Sequence, residues 1–135
     1  MRLTEDILPF TTGRRFVISG YLHSMGVLVL RSTIRHGSSG TRMDILFQDT
    51  KAISLPSFMD DVVVSEGTAD LATRFGSGPM AAFDLEFGIK VFTLGGQDWS
   101  GLVIAGSAFV LEDELDDLAP TGLLGPFTPQ SNRAD

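Results

Sequence analysis

Apolar and polar residues alternate with period two along much of this chain. FDLEFGIKV, residues 83–91, places Phe83, Leu85, Phe87, Ile89 and Val91 on one side and Asp84, Glu86, Gly88 and Lys90 on the other. Successive strand side chains point to opposite faces, so the pattern predicts a strand with one face buried and one wet. TRMDILFQ, residues 41–48, sets Met43, Ile45 and Phe47 against Arg42, Asp44 and Gln48, with Leu46 as the exception. Other runs are apolar on both sides: GVLVL at 26–30, VVV at 62–64 and LVIAGSAFVL at 102–111. Their β-branched and aromatic content favours strands. Strands of this kind need cover on both faces, from a helix, a second sheet or another subunit.

The breaks agree with short strands. HGSSG at 36–40 reads as a hairpin loop, and LPSFMDD at 55–61 as an interruption carrying a proline. EGTADLATRFG at 66–76 predicts a single helix. Thr68 serves as N-cap, Leu71 and Phe75 stack one turn apart, Asp70 and Arg74 pair on the same spacing, and Gly76 follows the end. APTGLLGPFTPQSNRAD, residues 119–135, has three Pro, two Gly and little periodicity, which predicts a disordered tail. The expectation is a mainly β chain, or α+β with one short helix. Its form is an antiparallel sandwich or partly closed barrel of about seven strands. Residues 13–118 form one β-rich domain, preceded by a partly ordered segment 1–12.

Bulk properties bound the possibilities. A chain of 135 residues, 43% hydrophobic with ten Phe, can bury a core without covalent staples. It has no Cys, which removes disulfides, thiolate metal sites and thiol nucleophiles. MRLTEDILPFTT, residues 1–12, carries acids where a secretory leader is basic, and no run reaches the length of a membrane span. The reading is a cytoplasmic protein with no membrane contact. The net charge of −7 is uneven: residues 1–60 carry seven Arg/Lys against five Asp/Glu, whereas residues 61–135 carry three against twelve. An acidic surface repels nucleic acid and attracts basic partners. Five of the acids, Glu112, Asp113, Glu114, Asp116 and Asp117, lie in EDELDD at 112–117 and are the candidate partner-binding residues.

No motif completes a catalytic or cofactor site. In LGGQDWSGLVIAG, residues 94–106, Gly96 and Gly101 have the spacing of a phosphate loop. Leu102 and Val103 then stand where its Lys and hydroxyl are required, so the stretch reads as a hairpin, with Gly95 and Gly96 supplying positive φ. Gly106, inside a strand-like run, predicts a large side chain, such as an aromatic, packed across it. The two histidines, His23 and His36, lack metal-ligand spacing, and nothing positions His23 as a base. Asp44, Asp84 and Glu86 read as carboxylates on a solvated sheet face. EDELDD lacks the glycine and closing Glu of a calcium loop. RSTIRHGSSGTR, residues 31–42, gathers Arg31, Arg35, His36 and Arg42 around a hairpin tip able to meet phosphate or an acidic partner. His23, Arg31, Arg35 and Arg42 are thus secondary candidates, and no cofactor or metal is expected.

YLHSMGVLVLRS at 21–32, followed by MDILFQDTKAISLP at 43–56, resembles small β-rich immunity proteins of bacterial polymorphic toxin systems. Those chains carry a His before an apolar strand, then an apolar-x-Phe strand running to an apolar-x-Leu-Pro segment. The resemblance covers about a quarter of the chain. It departs at Ser24, where the pattern has an acid after the His. It implies a non-enzymatic bacterial protein that binds and blocks a cognate toxin, here a basic toxin domain steered by the acids. Two alternatives are a β-barrel binding a small apolar ligand among Met43, Phe47, Phe87 and Phe109, and a subunit self-associating through strand 102–111.

Overall fold

A computed structural model describes residues 1–33, 40–68, 70–71, 88–116 and 118–123. Among them run ten strands: β1 (Phe10–Thr11), β2 (Phe16–Leu22), β3 (Val27–Ser32), β4 (Arg42–Gln48), β5 (Ala52–Ser54), β6 (Phe58–Met59), β7 (Val63–Glu66), β8 (Lys90–Gly95), β9 (Ser100–Ala105) and β10 (Ser107–Asp113). They form two antiparallel five-stranded sheets, in the orders β1-β7-β8-β9-β5 and β10-β4-β3-β2-β6. The architecture is a β-sandwich; the sheets do not close into a barrel.

The inward positions of both sheets form one core. Leu28 and Leu30 of β3, Met43, Ile45 and Phe47 of β4, and Phe92 and Leu94 of β8 all belong to it. The rings of Phe47 and Phe92 meet edge to face, with centroids 5.5 Å apart, a favoured aromatic geometry. Leu3 is buried in this core, and residues 1–3 run beside β10: the Leu3 amide donates to the Ala108 carbonyl and the Val110 amide to the Met1 carbonyl.

The run at 102–111 is two strands, not one. It breaks at Gly106, where the chain leaves one sheet (β9) and enters the other (β10). Residues 49–51 make the matching crossing from β4 to β5. The Gly106 amide donates to the carbonyls of Gln48 and Asp49, which ties the two crossings together. A Cβ at Gly106 would lie 3.1 Å from Asp49 Cβ. The predicted close neighbour therefore exists, but it is an aspartate at a sheet-to-sheet corner and not an aromatic ring.

Outer clusters account for the strands apolar on both faces. Ala52, Ile89, Val91, Leu102 and Ile104 gather outside one sheet with Leu71 against them. Val27, Val29 and Leu46 gather outside the other, covered by Phe109 and Leu123. Within LPSFMDD the chain adds the two-residue strand β6. The predicted helix from Thr68 and the strand residues 83–87 lie largely or wholly outside the described residues, as does the tail beyond Leu123. Among the described residues no helix is long and apolar enough to cross a membrane.

Candidate partner-binding surface

Strand register organises the outer face of the β10-β4-β3-β2-β6 sheet into rows. Arg42 sits opposite Asp113. The next row is Phe58, Val17, Arg31, Asp44 and Leu111. Gly20, Val29, Leu46 and Phe109 follow, and Leu22 faces Val27 beyond them. One end of the face is charged and the other apolar.

The charged end is sealed. Arg42 is fully buried and uses all five of its N–H donors. Nε and Nη2 donate to the two carboxylate oxygens of Asp113, at 3.0 and 3.3 Å. Nη1 donates to the carbonyls of Asp116 and Ala119, at 2.7 and 2.6 Å, and Nη2 also reaches the Pro120 carbonyl at 3.1 Å. The guanidinium thus ties Asp113, Asp116, Ala119 and Pro120 to β4. Beside it, Arg31 donates to both oxygens of buried Asp44, at 2.7 and 3.1 Å. At the rim Arg14 donates to Thr41 and to Glu112.

This arrangement corrects two expectations. Arg31 and Arg42 do not stand at a solvated hairpin tip, because both guanidinium groups are buried against carboxylates. Asp44 does not face water, because its strand is covered on both sides. Glu112 and Asp113 are ion-pair partners of Arg14 and Arg42. Glu114 and Asp116 are exposed and form no ion pair among the described residues. His23 is exposed in the β2–β3 turn. Arg35, His36, Asp84, Glu86 and Asp117 lie outside the described residues.

Burial pushes the Asp113 carboxyl up. The Arg42 hydrogen bond, the Leu115 amide and the charges of Arg42 and Arg31 outweigh it, so the net shift is downward. A carboxylate lowered in the folded state stabilises above its unfolded pKa, and that contribution is lost as pH falls through the folded value. The expected result is an acid-side loss of stability below about pH 4 that is smaller in Asp113→Asn, whose stability at neutral pH is already reduced. Urea midpoints measured against pH check it; equal acid slopes in the two proteins would contradict it.

At the apolar end a cleft of about 280 Å³ opens between the sheet and the returning segment. Gly20, Leu22, Val27 and Val29 line one side, Leu118 and Pro120 the other, and Arg31 also borders it. A Cβ at Gly20 would meet nothing within 4 Å, and Leu118 is 92% exposed. Ile18, Tyr21, Met25 and Phe58 are also exposed, on β2, its turn and β6. β6 pairs with β2 only at Phe16 and Val17, so Ile18–Leu22 forms an open sheet edge among the described residues.

Comparison with protein-family models, with curated proteins and with solved structures found no match to this chain.

The remaining candidate stretches have structural placements. In LGGQDWSGLVIAG the β8–β9 hairpin closes with the Gly96 amide donating to the Trp99 carbonyl. Gly95 and Gly96 are not among the residues of positive φ. Glycine is needed at 96 for space instead, since a Cβ there would collide with the Asp60 carbonyl and the Trp99 indole. The indole Nε1 donates to that same carbonyl at 2.8 Å. Leu102–Ile104 is paired on both sides, by β8 and β5, and β10 lies between β4 and residues 1–3. At Leu102–Ile104 and Ala108–Val110 the strand edges are therefore already paired. Met43 and Phe47 lie in the core whereas Phe109 lies on the outer face, and Phe87 lies outside the described residues. Among the described residues no group of three His, Asp or Glu is placed to hold a metal ion.

Proposed function

We propose that this chain is a non-enzymatic protein-binding sandwich, and that its most concrete role is immunity, binding and blocking a basic toxic domain. One observation carries the reading: along the edge formed by β2, its turn and β6, Leu22 and Phe58 are exposed on the outer face with Leu118, and Ile18, Tyr21 and Met25 are exposed on the other side of the strand and in the turn. Soluble monomers rarely expose large contiguous apolar patches, and those that do commonly use them to bind proteins or ligands. The resemblance to immunity proteins supports the choice of partner, and so does the acidity of residues 61–135.

Co-expression tests the role. Reading frames flanking the gene are induced singly in a bacterial host. The expected result is that one arrests growth and that this chain relieves the arrest. The reading is overturned if this chain relieves no such arrest, or if Phe58→Ser with Met25→Ser, folded as judged by an unchanged urea midpoint, relieves it as fully as the parent chain.

A further inference from the structure

We infer that the cleft between Gly20, Leu22, Val27, Val29 and the 118–120 segment receives a single large apolar side chain of a cationic protein segment. The inference rests on the protein-binding reading and names the partner's chemistry.

Three observations converge on it. The first is size. At about 280 Å³ the cleft has room for one Trp, Phe or Leu side chain. The second is lining. Gly20 is exposed and puts no side chain over the cleft, Val27 and Val29 are buried in paired β3 and supply an apolar base, and exposed Leu118 stands beside them. Binding energy at interfaces concentrates in such anchor pockets. The third is charge. The chain leading into that wall carries Glu114 and Asp116, exposed and without an ion pair among the described residues, and Asp116 accepts the Leu118 N–H at the start of the wall. The acids engaged by Arg14 and Arg42 are Glu112 and Asp113, so Glu114 and Asp116 remain available to a partner. Arg31, the one charged residue in the lining, is already paired with Asp44, so the free acids beside the wall set the local sign, which steers cationic partners and suppresses acidic competitors.

Arg42 links these features. By pinning the carbonyls of Asp116, Ala119 and Pro120 it holds the wall in place before any partner arrives. A preformed pocket lowers the ordering cost of binding.

The test is an NMR titration of the ¹⁵N-labelled full chain with a synthetic peptide bearing one tryptophan between arginine-rich flanks. Two matched peptides carry glycine for the tryptophan, or glutamate for the arginines. Saturable shifts are expected at residues 20–22, 27, 29 and 118–121. Affinity should fall at least about tenfold for either matched peptide. Gly20→Val fills the cleft where a Cβ meets nothing, and Leu118→Ser removes an exposed wall, so both variants keep the fold. Each is expected to weaken binding by a similar factor. Glu114→Gln with Asp116→Asn should weaken it at low salt, while the amide introduced at position 116 keeps a side-chain oxygen to accept the Leu118 N–H. Absence of binding, equal binding of the glycine peptide, or shifts centred away from the cleft would overturn the inference. A chain that relieves growth arrest yet fails this titration keeps its binding role and loses this site; one that fails both loses both.

Discussion

Arg42→Ala is expected to destabilise the fold by about 3–5 kcal/mol, the range for removing one partner of a buried ion pair. Arg42 has no exposed surface, and five hydrogen bonds end on it. Its removal leaves the Asp113 carboxylate without its cation. It also leaves three backbone carbonyls, which accept charge-assisted bonds in the parent chain, without that donor. A domain of this kind is held by about 5–15 kcal/mol in total, so the loss is a large part of its stability. Arg42→Lys should recover only part, because an ammonium cannot reproduce the planar two-pronged contact with Asp113. Urea unfolding at neutral pH measures both variants, and a loss below about 1 kcal/mol in Arg42→Ala would place the pair in the range of exposed surface pairs. Residues 113–120 should also lose protection from amide exchange first.

The second large effect is expected at Arg31 and Asp44. Asp44→Ala removes the carboxylate that engages the Arg31 guanidinium at two points, at an expected cost of about 3–5 kcal/mol. Replacing both residues, Arg31→Met with Asp44→Leu, should cost far less than the single change. Buried ion pairs are often matched in stability by well-packed apolar side chains, and this row already lies between Val17 and Leu111. A double-mutant cycle by urea unfolding reads the coupling. Additive losses would show that the two side chains do not stabilise one another. Both predictions concern residues whose charge alone suggested a binding role. Their effect should be on stability and not on affinity for phosphate.

Much of the sandwich was legible along the chain. Alternation in TRMDILFQ located β4, and the apolar runs located β3, β7, β9 and β10. The demand for cover on both faces was also correct, because each sheet has an outer apolar cluster. The split at Gly106 was not legible, since a strand that changes sheets keeps its local pattern on both sides of the corner. The apolar cleft was not foreseen either, although a signal was present: Phe16–Leu30 contains no Asp, Glu, Lys or Arg. A stretch that long without charge reads equally well as core, and only exposure distinguishes core from surface.

The sequence by itself determined the local choices, namely which runs extend, where they break, and that no phosphate-loop Lys or thiol is present. These follow from side-chain period and residue type, which act over a few neighbours. Tertiary structure alone decided the fate of the charges. Arg31 meets Asp44 thirteen residues away, and Arg42 meets Asp113 seventy-one residues away. No local rule says which carboxylate a guanidinium will find. It likewise decided why Gly96 and Gly106 are glycines, through backbone and side chains brought close from distant parts of the chain. The physical reason is the same in each case: burial and close approach are properties of segments brought together by folding, and strand period carries no information about which segments those are.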